Sequence, residues 1–291
     1  MTDLVIGASG QVGGAIVDYL KSEECEVVGT YTSHNPPHFP LTHLDISDKE
    51  QVNELIARLK PKTIYLPSSY TNVDGCERDP ELSHRVNVQG AINVFEAALK
   101  SRSKVVYFSS DYVFDGVGGP YKETDKTNPV SVYGQHKLAA ENACLAQAAN
   151  LVIRTTVVYG VEWQGKNFVI RLLKSLLNNE TVKVPDDQVG NPTLSSELAN
   201  VSVLLAQRDR DGIFNVAGTG RVSRYEFARE AAYVFGLDES LIEPVKTESL
   251  AQAAKRPLNA GLVMDKVLDI HQGRISDYKA GLKTLQRKLA P

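Results

Sequence analysis

Apolar and polar positions follow two alternating periodicities along the first half of the chain. Short apolar runs lie near 3–6, 26–31, 63–67, 104–109 and 151–154. Between them, apolar residues recur every three to four positions near 11–22, 48–59, 80–101 and 131–149. The first pattern is typical of buried strands and the second of helices with one apolar face. Their strict alternation predicts right-handed βαβ units and an α/β fold with a doubly wound parallel sheet.

The pattern becomes less regular beyond Gly160. Helical spacing occurs near 166–178, 195–207 and 223–235, and turns rich in Pro, Gly and Asn separate these segments. The apolar run near 213–217 has strand character and is expected to return to the first domain. A chain of 291 residues is long for a single core. We therefore expect a first domain over 1–159 and a smaller C-terminal lobe over 160–291.

A glycine-rich turn lies between the first predicted strand and the first predicted helix. Gly7, Gly10 and Gly13 have the spacing G-x-x-G-x-x-G. Such glycines permit a tight turn, close approach of a pyrophosphate and close packing of helix on strand, as in Rossmann-type domains. The helix N-terminus then offers N–H groups to the phosphates. A turn that binds no ligand is the alternative. The predicted cofactor contacts here are Gly7, Ser9, Gly10, Gln11, Val12 and Gly13.

The end of the second predicted strand bears on the choice of cofactor. NAD sites usually carry an acidic residue there, which accepts a hydrogen bond from the ribose 2′-OH. The segment from Thr30 to His34 has no carboxylate and also no arginine, so it favours NADP(H) modestly, with NAD(H) as the alternative. Asp45 and Ile46 follow the next apolar stretch and are predicted to contact the adenine. Alternatively, Asp45 is an N-terminal charge ahead of the helix that starts near Asp48.

Tyr133 and Lys137 lie four residues apart in a predicted helix, so the two side chains project from one face. A nearby cation favours the phenolate, and it is expected to lower the pKa of Tyr133 so that the phenol can donate a proton near neutral pH. A solvated helical face is the alternative for an isolated pair of this kind.

A predicted buried strand ends at Ser109 and Ser110. Ligands of open α/β sheets bind at the carboxyl ends of the strands, where a hydroxyl can hydrogen-bond a substrate carbonyl oxygen. The glycine turn, the strand-end serine and the Tyr-x-x-x-Lys pair occur in this order along the chain. Together they predict an enzyme that uses a nicotinamide cofactor.

With these motifs the chain resembles the extended short-chain dehydrogenase/reductases, and among them the dTDP-4-dehydrorhamnose reductases. The matching segments are SSDYVFDG (109–116), GPYKETDKTNPVSVYGQHKLAAE (119–141), DQVGNPT (187–193) and AKRPLNAGL (254–262), with YTNVDGCE (70–77) and RVNVQGAINV (85–94). The resemblance implies that the C-terminal lobe binds substrate. It also implies Ser110, Tyr133 and Lys137 as catalytic residues, with Lys137 orienting the nicotinamide ribose. The substrate contacts that it implies are Asp111, Tyr112, Val113, Asn191 and Arg256.

The same segments also resemble the regulatory beta subunit of methionine adenosyltransferase, an NADP-binding protein that acts as a partner. The chain departs from the reductases at Val157, where they often have a Trp beside the sugar. Trp163 is a candidate substitute for it. Related dehydratases carry an Asp-Glu pair after the catalytic hydroxyl, whereas here Asp111 is followed by Tyr112, which disfavours dehydration. Epimerases need only the same three residues and stay an alternative.

Composition narrows the function further. The formal net charge of -3 shows no basic bias and argues against nucleic acid binding. Three cysteines without zinc-ligand spacing are expected to be reduced thiols of a cytoplasmic protein, and no metal site is expected. No signal peptide is expected ahead of the first strand, and no apolar run is long enough to span a membrane. A homodimer is compatible with the sequence.

The sequence thus predicts an NADPH-preferring reductase of the 4-keto group of a nucleotide-linked deoxysugar, with dTDP-4-dehydrorhamnose and dTDP-L-rhamnose as the expected substrate and product. The alternatives are a regulatory subunit without catalysis and a nucleotide-sugar epimerase.

Overall fold

The computed structural model describes residues 2–36, 40–271 and 275–290. Its main feature is a seven-stranded sheet. All described pairings in this sheet are parallel, which confirms the α/β fold with a Rossmann-type sheet. Within the described part of the chain, no helix combines the length and the apolar character needed to cross a membrane.

The strands are β1 (Asp3–Val5), β2 (Val27–Tyr31), β3 (Thr42–His43), β4 (Thr63–Leu66), β5 (Lys104–Ser110), β6 (Leu151–Thr155), β7 (Val158–Tyr159), β8 (Val182–Pro185), β9 (Val189–Gly190), β10 (Thr193–Leu194), β11 (Gly212–Asn215), β12 (Val222–Ser223) and β13 (Ile242–Val245). The α-helices are α1 (Gln11–Ser22), α2 (Lys49–Leu59), α3 (Val73–Arg78), α4 (Pro80–His84), α5 (Ala91–Ser101), α6 (Val132–Leu145), α7 (Phe168–Leu177), α8 (Ser195–Gln207), α9 (Arg224–Phe235), α10 (Asp265–Leu268) and α11 (Tyr278–Leu289). The sheet order is β11-β6-β5-β4-β1-β2-β3.

Helices cover both faces of the sheet because its strands are apolar on both sides. On one face, α1 and α8 pack against each other over a core that includes Ile16, Leu151 and Leu198. On the other face, α2, α5 and α6 cover a second core that includes Ile56 and Phe95. Two elements from beyond residue 160 take part, since α8 packs on α1 and β11 pairs with β6.

The rest of the C-terminal region forms a separate core. Helices α7, α9 and α11 pack around Phe227, which is fully buried, and β8 pairs with β13 beside them. Ser223 caps α9 through a reciprocal capping box with Glu226, so the start of this helix is well defined. The start of this helix lines the same cavity as Asp111 and Thr156, which follow β5 and β6.

Two predicted helices differ from those observed. The segment 80–101 is divided into α4, a π-helical stretch over Arg85–Gly90, and α5. In the π-helical stretch, the Asn87 amide accepts from Tyr70 N at 2.7 Å and donates to Tyr70 O at 3.0 Å, so it anchors the loop after β4. The helix predicted over 131–149 ends at Leu145. Near this end, the side-chain amide of Asn150 donates a hydrogen bond to the carbonyl oxygen of Cys144. The short helix α3 was not predicted.

Candidate functional site

The candidate site lies at the carboxyl ends of the central strands. The chain runs outward from β1 to β3 on one side and from β4 to β11 on the other, so the order of strands reverses between β1 and β4. Ligands of doubly wound sheets bind at such a reversal. The glycine turn follows β1, Ser110 ends β5, and Thr156 follows β6.

The glycine turn has the geometry of a pyrophosphate cradle. Gly7 has a φ of 92°, a left-handed conformation that favours glycine. A Cβ on Gly13 would lie 2.2 Å from the carbonyl oxygen of Gly7, so only glycine permits this packing of α1 on the turn. No side chain caps the N-terminus of α1 at Gly10, which leaves the first N–H groups of the helix to a phosphate. These residues fit a dinucleotide.

The side chain of Thr30 is used inside the protein. Thr30 is 1% exposed, and its hydroxyl accepts a hydrogen bond from the backbone N–H of Gly7 at 3.2 Å. The Thr30 hydroxyl thus supports the glycine turn, and the predicted contact of Thr30 with the cofactor stays a prediction. The exposed residues after it are Thr32, Ser33 and His34, and they present no carboxylate at the expected ribose position.

Asp45 and Ile46 lie after β3, at the side of the sheet where an adenine would lie. The Asp45 carboxylate accepts from the backbone N–H and the hydroxyl of Ser47, at 2.9 and 2.8 Å. The cap of α2 is Asp48, so Asp45 is not the helix-capping charge. Ile46 is 3% exposed and packs against Gly90, which limits its contact with a ligand to its backbone and edge.

Tyr133 lies in the first turn of α6, which begins behind the cap residue Ser131. Its ring is 9% exposed and contacts the Tyr112 ring edge-on, at 5.4 Å between centroids. Burial raises the pKa of the Tyr133 phenol, and Tyr112 and Asp111 act in the same direction, whereas the nearby Ser110 hydroxyl lowers it. The phenol is therefore neutral at physiological pH.

Lys137 is buried one turn further along α6. Its ammonium donates to the carbonyl oxygen of Phe108 at 2.5 Å and lies 4.3 Å from the centre of the Tyr107 ring. Burial lowers the pKa of Lys137 to about 7, and the charge of Glu141 opposes that shift. The expected lowering of the Tyr133 pKa by Lys137 is wrong for this arrangement, because the ammonium is directed at β5 and not at the phenol.

Ser110, Asp111 and Thr156 form a hydrogen-bonded group at the ends of β5 and β6. Ser110 Oγ donates to Asp111 Oδ1 at 3.0 Å and accepts from the backbone N–H of Tyr112 at 3.3 Å. Thr156 Oγ1 donates to Asp111 Oδ2 at 2.6 Å. Burial raises the pKa of Asp111 to about 6, while the bonds from Thr156 and Ser110 lower it. Both carboxylate oxygens are thus used within the protein.

A cavity opens between this group and the lobe. Asp111, Tyr112 and Thr156 line it from the sheet, and Gln188 and Arg224 line it from the lobe. Val157 also lines it and has a φ of 44°, an unusual conformation for a β-branched residue. Such strain is concentrated at ligand sites. Trp163 lies elsewhere, in a groove beside α1, so it does not take the place of the aromatic contact missing at Val157.

Arg224 is a cavity-lining side chain that the sequence analysis missed, as are Thr156 and Gln188. Its guanidinium lies 5.2 Å from the centre of the Phe168 ring and makes no ion pair or hydrogen bond with the residues that the structure describes. Burial lowers the pKa of Arg224, and the charges of Tyr112 and Asp111 oppose the shift. A partly buried cation that lines a cavity suits an anionic ligand. The capping box at Ser223 was the sequence signal that could have located it.

Three predicted substrate contacts lie outside this cavity or are already engaged. Val113 is completely buried in the core. The Asn191 amide accepts from Leu262 N and donates to Gly218 O, both at 2.9 Å, so it joins three loops. Arg256 forms an ion pair with Asp74 at 3.0 Å. Val113 thus lies in the core, and Asn191 and Arg256 have partners within the protein, while their predicted contacts with the substrate stay predictions. Among the described residues, no cluster of His, Cys, Asp and Glu suits a metal ion.

Comparison with known proteins agrees with the geometry. A family model described as the RmlD substrate binding domain matches residues 1–290. A dTDP-4-dehydrorhamnose reductase of Aggregatibacter actinomycetemcomitans is 32% identical, over 97% of this chain and 97% of its own. Methionine adenosyltransferase 2 subunit beta of Xenopus tropicalis is 30% identical, over 96% of this chain and 85% of its own. The crystal structure of a dTDP-4-dehydrorhamnose reductase from Bacillus anthracis in complex with NADP is 27% identical, with a TM-score of 0.90 over 99% of each chain. Both resemblances are confirmed.

Proposed function

The chain belongs to the RmlD substrate binding domain family, and from this premise we propose that it is an NADPH-preferring reductase of a nucleotide-linked 4-ketosugar. The expected reaction converts dTDP-4-dehydrorhamnose to dTDP-L-rhamnose, as the names of its relatives suggest. The observation that carries the proposal is that Ser110 and Tyr133 meet at the end of β5, between the glycine turn and the cavity that Arg224 lines.

In the proposed reaction, Tyr133, Ser110 and Lys137 have separate roles. Bound NADPH supplies the hydride for the ketone carbon. Tyr133 donates its phenolic proton to the oxygen on which negative charge develops, and the basicity of an alkoxide drives this transfer even from a phenol of raised pKa. Ser110 hydrogen-bonds the same oxygen. Lys137, whose ammonium donates to the carbonyl oxygen of Phe108 on β5, would hold the nicotinamide ribose when the cofactor is bound.

Arg224 is assigned to the diphosphate of the substrate. The guanidinium is partly buried beside the cavity, and diphosphate oxygens would supply the partner that no described residue provides. Arg256 stays with Asp74 in this proposal, because removing it from that ion pair would leave the Asp74 carboxylate without its partner.

The direct test follows NADPH absorbance with purified protein and a panel of nucleotide-linked 4-ketosugars. We expect NADPH oxidation only when such a sugar is present, and Ser110→Ala should slow it. An epimerase would instead change the sugar without net consumption of NADPH. Turnover of none of the sugars would contradict the reductase.

A regulatory subunit is the second candidate, because the relatives include methionine adenosyltransferase beta subunits. That function would give tight NADPH binding without turnover, together with specific capture of a methionine adenosyltransferase catalytic subunit. The complete set of Ser110, Tyr133 and Lys137 supports the reductase. A homodimer and a cytoplasmic location stay predictions.

Cofactor choice provides a separate prediction. The exposed Ser33 lies in the segment that lacks a carboxylate, so Ser33→Asp should repel a 2′-phosphate and accept a hydrogen bond from a 2′-OH. We expect the ratio of NADPH to NADH affinity to fall, as measured by fluorescence titration of both cofactors. Ser33→Asn is the control of equal size without the charge. Tighter binding of NADH by the unmodified protein would contradict the NADPH preference.

A further inference from the structure

The segment 70–77 resembles the reductases, yet none of its residues has a role in the reaction proposed above. It forms the loop after β4 and most of α3, and α3 packs against α6. One oxygen of the Glu77 carboxylate accepts a hydrogen bond from the backbone N–H of Val132 at 3.0 Å. Val132 is the first residue of α6 and Tyr133 is the second. Glu77 therefore contacts this helix immediately beside the proposed proton donor.

The start of α6 needs an acceptor from outside the helix. The first N–H groups of a helix have no acceptor within it, and helix ends fray. Ser131 accepts from Gly134 N through its side chain and from Gln135 N through its carbonyl, at 3.3 and 3.0 Å, and neither bond engages the Val132 N–H. Gly134 weakens this first turn, because glycine is a poor helix former. Glycine is nevertheless required there, since a Cβ would lie 2.2 Å from the carbonyl oxygen of Tyr112.

The short helix α3 can hold α6 because it is itself fixed. Asn72 caps its first turn. From the middle of the helix, Asp74 accepts from the backbone N–H of Ala254 at 3.0 Å and forms the ion pair with Arg256. The segment that contains Ala254 and Arg256 continues to Pro257, which lines the substrate cavity. Helix α3 thus links the start of α6 to one wall of the cavity.

We propose that Glu77 is a positioning residue, which holds the first turn of α6 and thereby keeps the Tyr133 phenol where it can protonate the substrate oxygen. The inference rests on the reductase function proposed above. Lys137 lies one turn further along α6 and has its own bond to the carbonyl oxygen of Phe108, so its position does not depend on Glu77. Loss of the Glu77 bond should therefore affect proton donation and spare cofactor binding.

Substitutions of Glu77 separate its hydrogen bond from its charge. Glu77→Gln loses the charge and keeps an oxygen of the same reach, whereas Glu77→Asp keeps the charge on a side chain one methylene shorter. Glu77→Asp and Glu77→Ala should lower kcat with dTDP-4-dehydrorhamnose roughly ten- to a hundredfold, because a small displacement of a catalytic group is enough for such a loss. Glu77→Gln should keep most of the wild-type kcat. The KM for the sugar nucleotide and the Kd for NADPH should change little in all three.

Two controls distinguish positioning from a general loss of stability. Asp277→Ala removes the carboxylate that accepts from Ala280 N at 2.9 Å at the start of α11, and it should lower the thermal midpoint without lowering kcat. Adding Glu77→Ala to Tyr133→Phe should cause little further loss of kcat, because Glu77 acts through Tyr133. Glu77→Asp provides the same comparison if Glu77→Ala does not fold.

A further measurement does not depend on turnover. In protein with carbon-13-labelled tyrosine, the Tyr133 NMR signal is identified by its absence from Tyr133→Phe. This signal should shift or broaden in Glu77→Asp and Glu77→Ala and stay unchanged in Glu77→Gln. An inactive wild type would contradict the proposed function, and the NMR signal would still show whether Glu77 holds Tyr133. Wild-type kcat in Glu77→Asp, a kcat in Glu77→Gln as low as in Glu77→Ala, or an unchanged Tyr133 signal in both shortened variants would overturn the inference.

Discussion

At the scale of single residues, burial determines the protonation of the site. Burial raises the pKa of the Tyr133 phenol and lowers the pKa of the Lys137 ammonium, so it favours the neutral form of both groups. A neutral phenol keeps its proton until a stronger base forms, and the alkoxide produced by hydride transfer is such a base. The site therefore needs no phenolate before the reaction begins.

Tyr133→Phe removes the proton donor and keeps the ring. We expect turnover to fall by roughly 10²–10⁴-fold, because a positioned acid contributes about that much. NADPH affinity and the thermal midpoint should change little, since the ring still contacts Tyr112. Stopped-flow measurement of hydride transfer would check this. Tyr112→Phe, which removes the neighbouring hydroxyl, is the control, and an equal effect of both substitutions would contradict the assignment.

Arg224→Met should weaken substrate binding without affecting the cofactor. Loss of one charge-assisted hydrogen bond corresponds to about 1.5–3 kcal/mol, or roughly a ten- to a hundredfold rise in the KM for the nucleotide sugar. The Kd for NADPH should be unchanged. Arg171→Met is the matched control, because Arg171 is an exposed arginine close enough to influence Arg224. Equal effects of the two substitutions would show that only the net charge matters.

At the scale of elements, α6 is held to the sheet by a buried ion pair. Glu141, one turn beyond Lys137, accepts two hydrogen bonds from the guanidinium of Arg154 on β6, and the two side chains are 1% and 2% exposed. Arg154 also donates to the carbonyl oxygen of Glu123. The pair thereby fixes how the helix that carries Tyr133 lies along β6.

Glu141→Gln should strongly destabilise the protein. Removal of one partner leaves the Arg154 charge buried without compensation, which costs about 3–5 kcal/mol. Urea unfolding would measure the change. The exposed pair of Arg229 and Glu239 is the control, and Glu239→Gln should change the free energy of unfolding by about 1 kcal/mol or less. A similar small change in Glu141→Gln would show that Arg154 gains another partner.

Local patterns predicted most strands and the helix that carries Tyr133, because apolar periodicity reports directly which face is buried. They did not predict the π-helical stretch before α5. In this stretch the Asn87 side chain hydrogen-bonds Tyr70, seventeen residues earlier, and a local pattern does not report such a contact. The pair Tyr133 and Lys137 was recognisable from its spacing. The engagement of Asp111, Asn191 and Arg256 was not, because their partners lie on elements distant in sequence.

At the scale of the whole molecule, the sheet and the lobe are built from interleaved segments. After β6 the chain passes into the lobe. It then returns to the main sheet to form α8 and β11, and it passes into the lobe a second time at β12. The division at residue 159 stays a prediction. The cavity that Asp111 and Arg224 line lies where these segments meet.

The charge of Lys137 should make stability depend on pH. Its pKa is about 7 when folded and 10.5 in the unfolded chain, so between these values the unfolded state binds more protons. Wild type should therefore gain stability relative to Lys137→Met as the pH rises from about 7 towards 10, by at most about 1.4 kcal/mol per pH unit. Urea unfolding of both proteins at several pH values measures this difference. A difference independent of pH would show that Lys137 stays charged in the folded state.

The position of β11 has a consequence for synthesis on the ribosome. Among the strands that the structure describes, β11 alone pairs with the outer side of β6; it begins at Gly212, whereas β6 ends at Thr155. At the usual rate of translation, roughly 3 to 11 s pass between the completion of one strand and the start of the other. During that interval the hydrogen-bonding groups of β6 are available to any other extended chain, so the nascent protein is most prone to aggregation in this window.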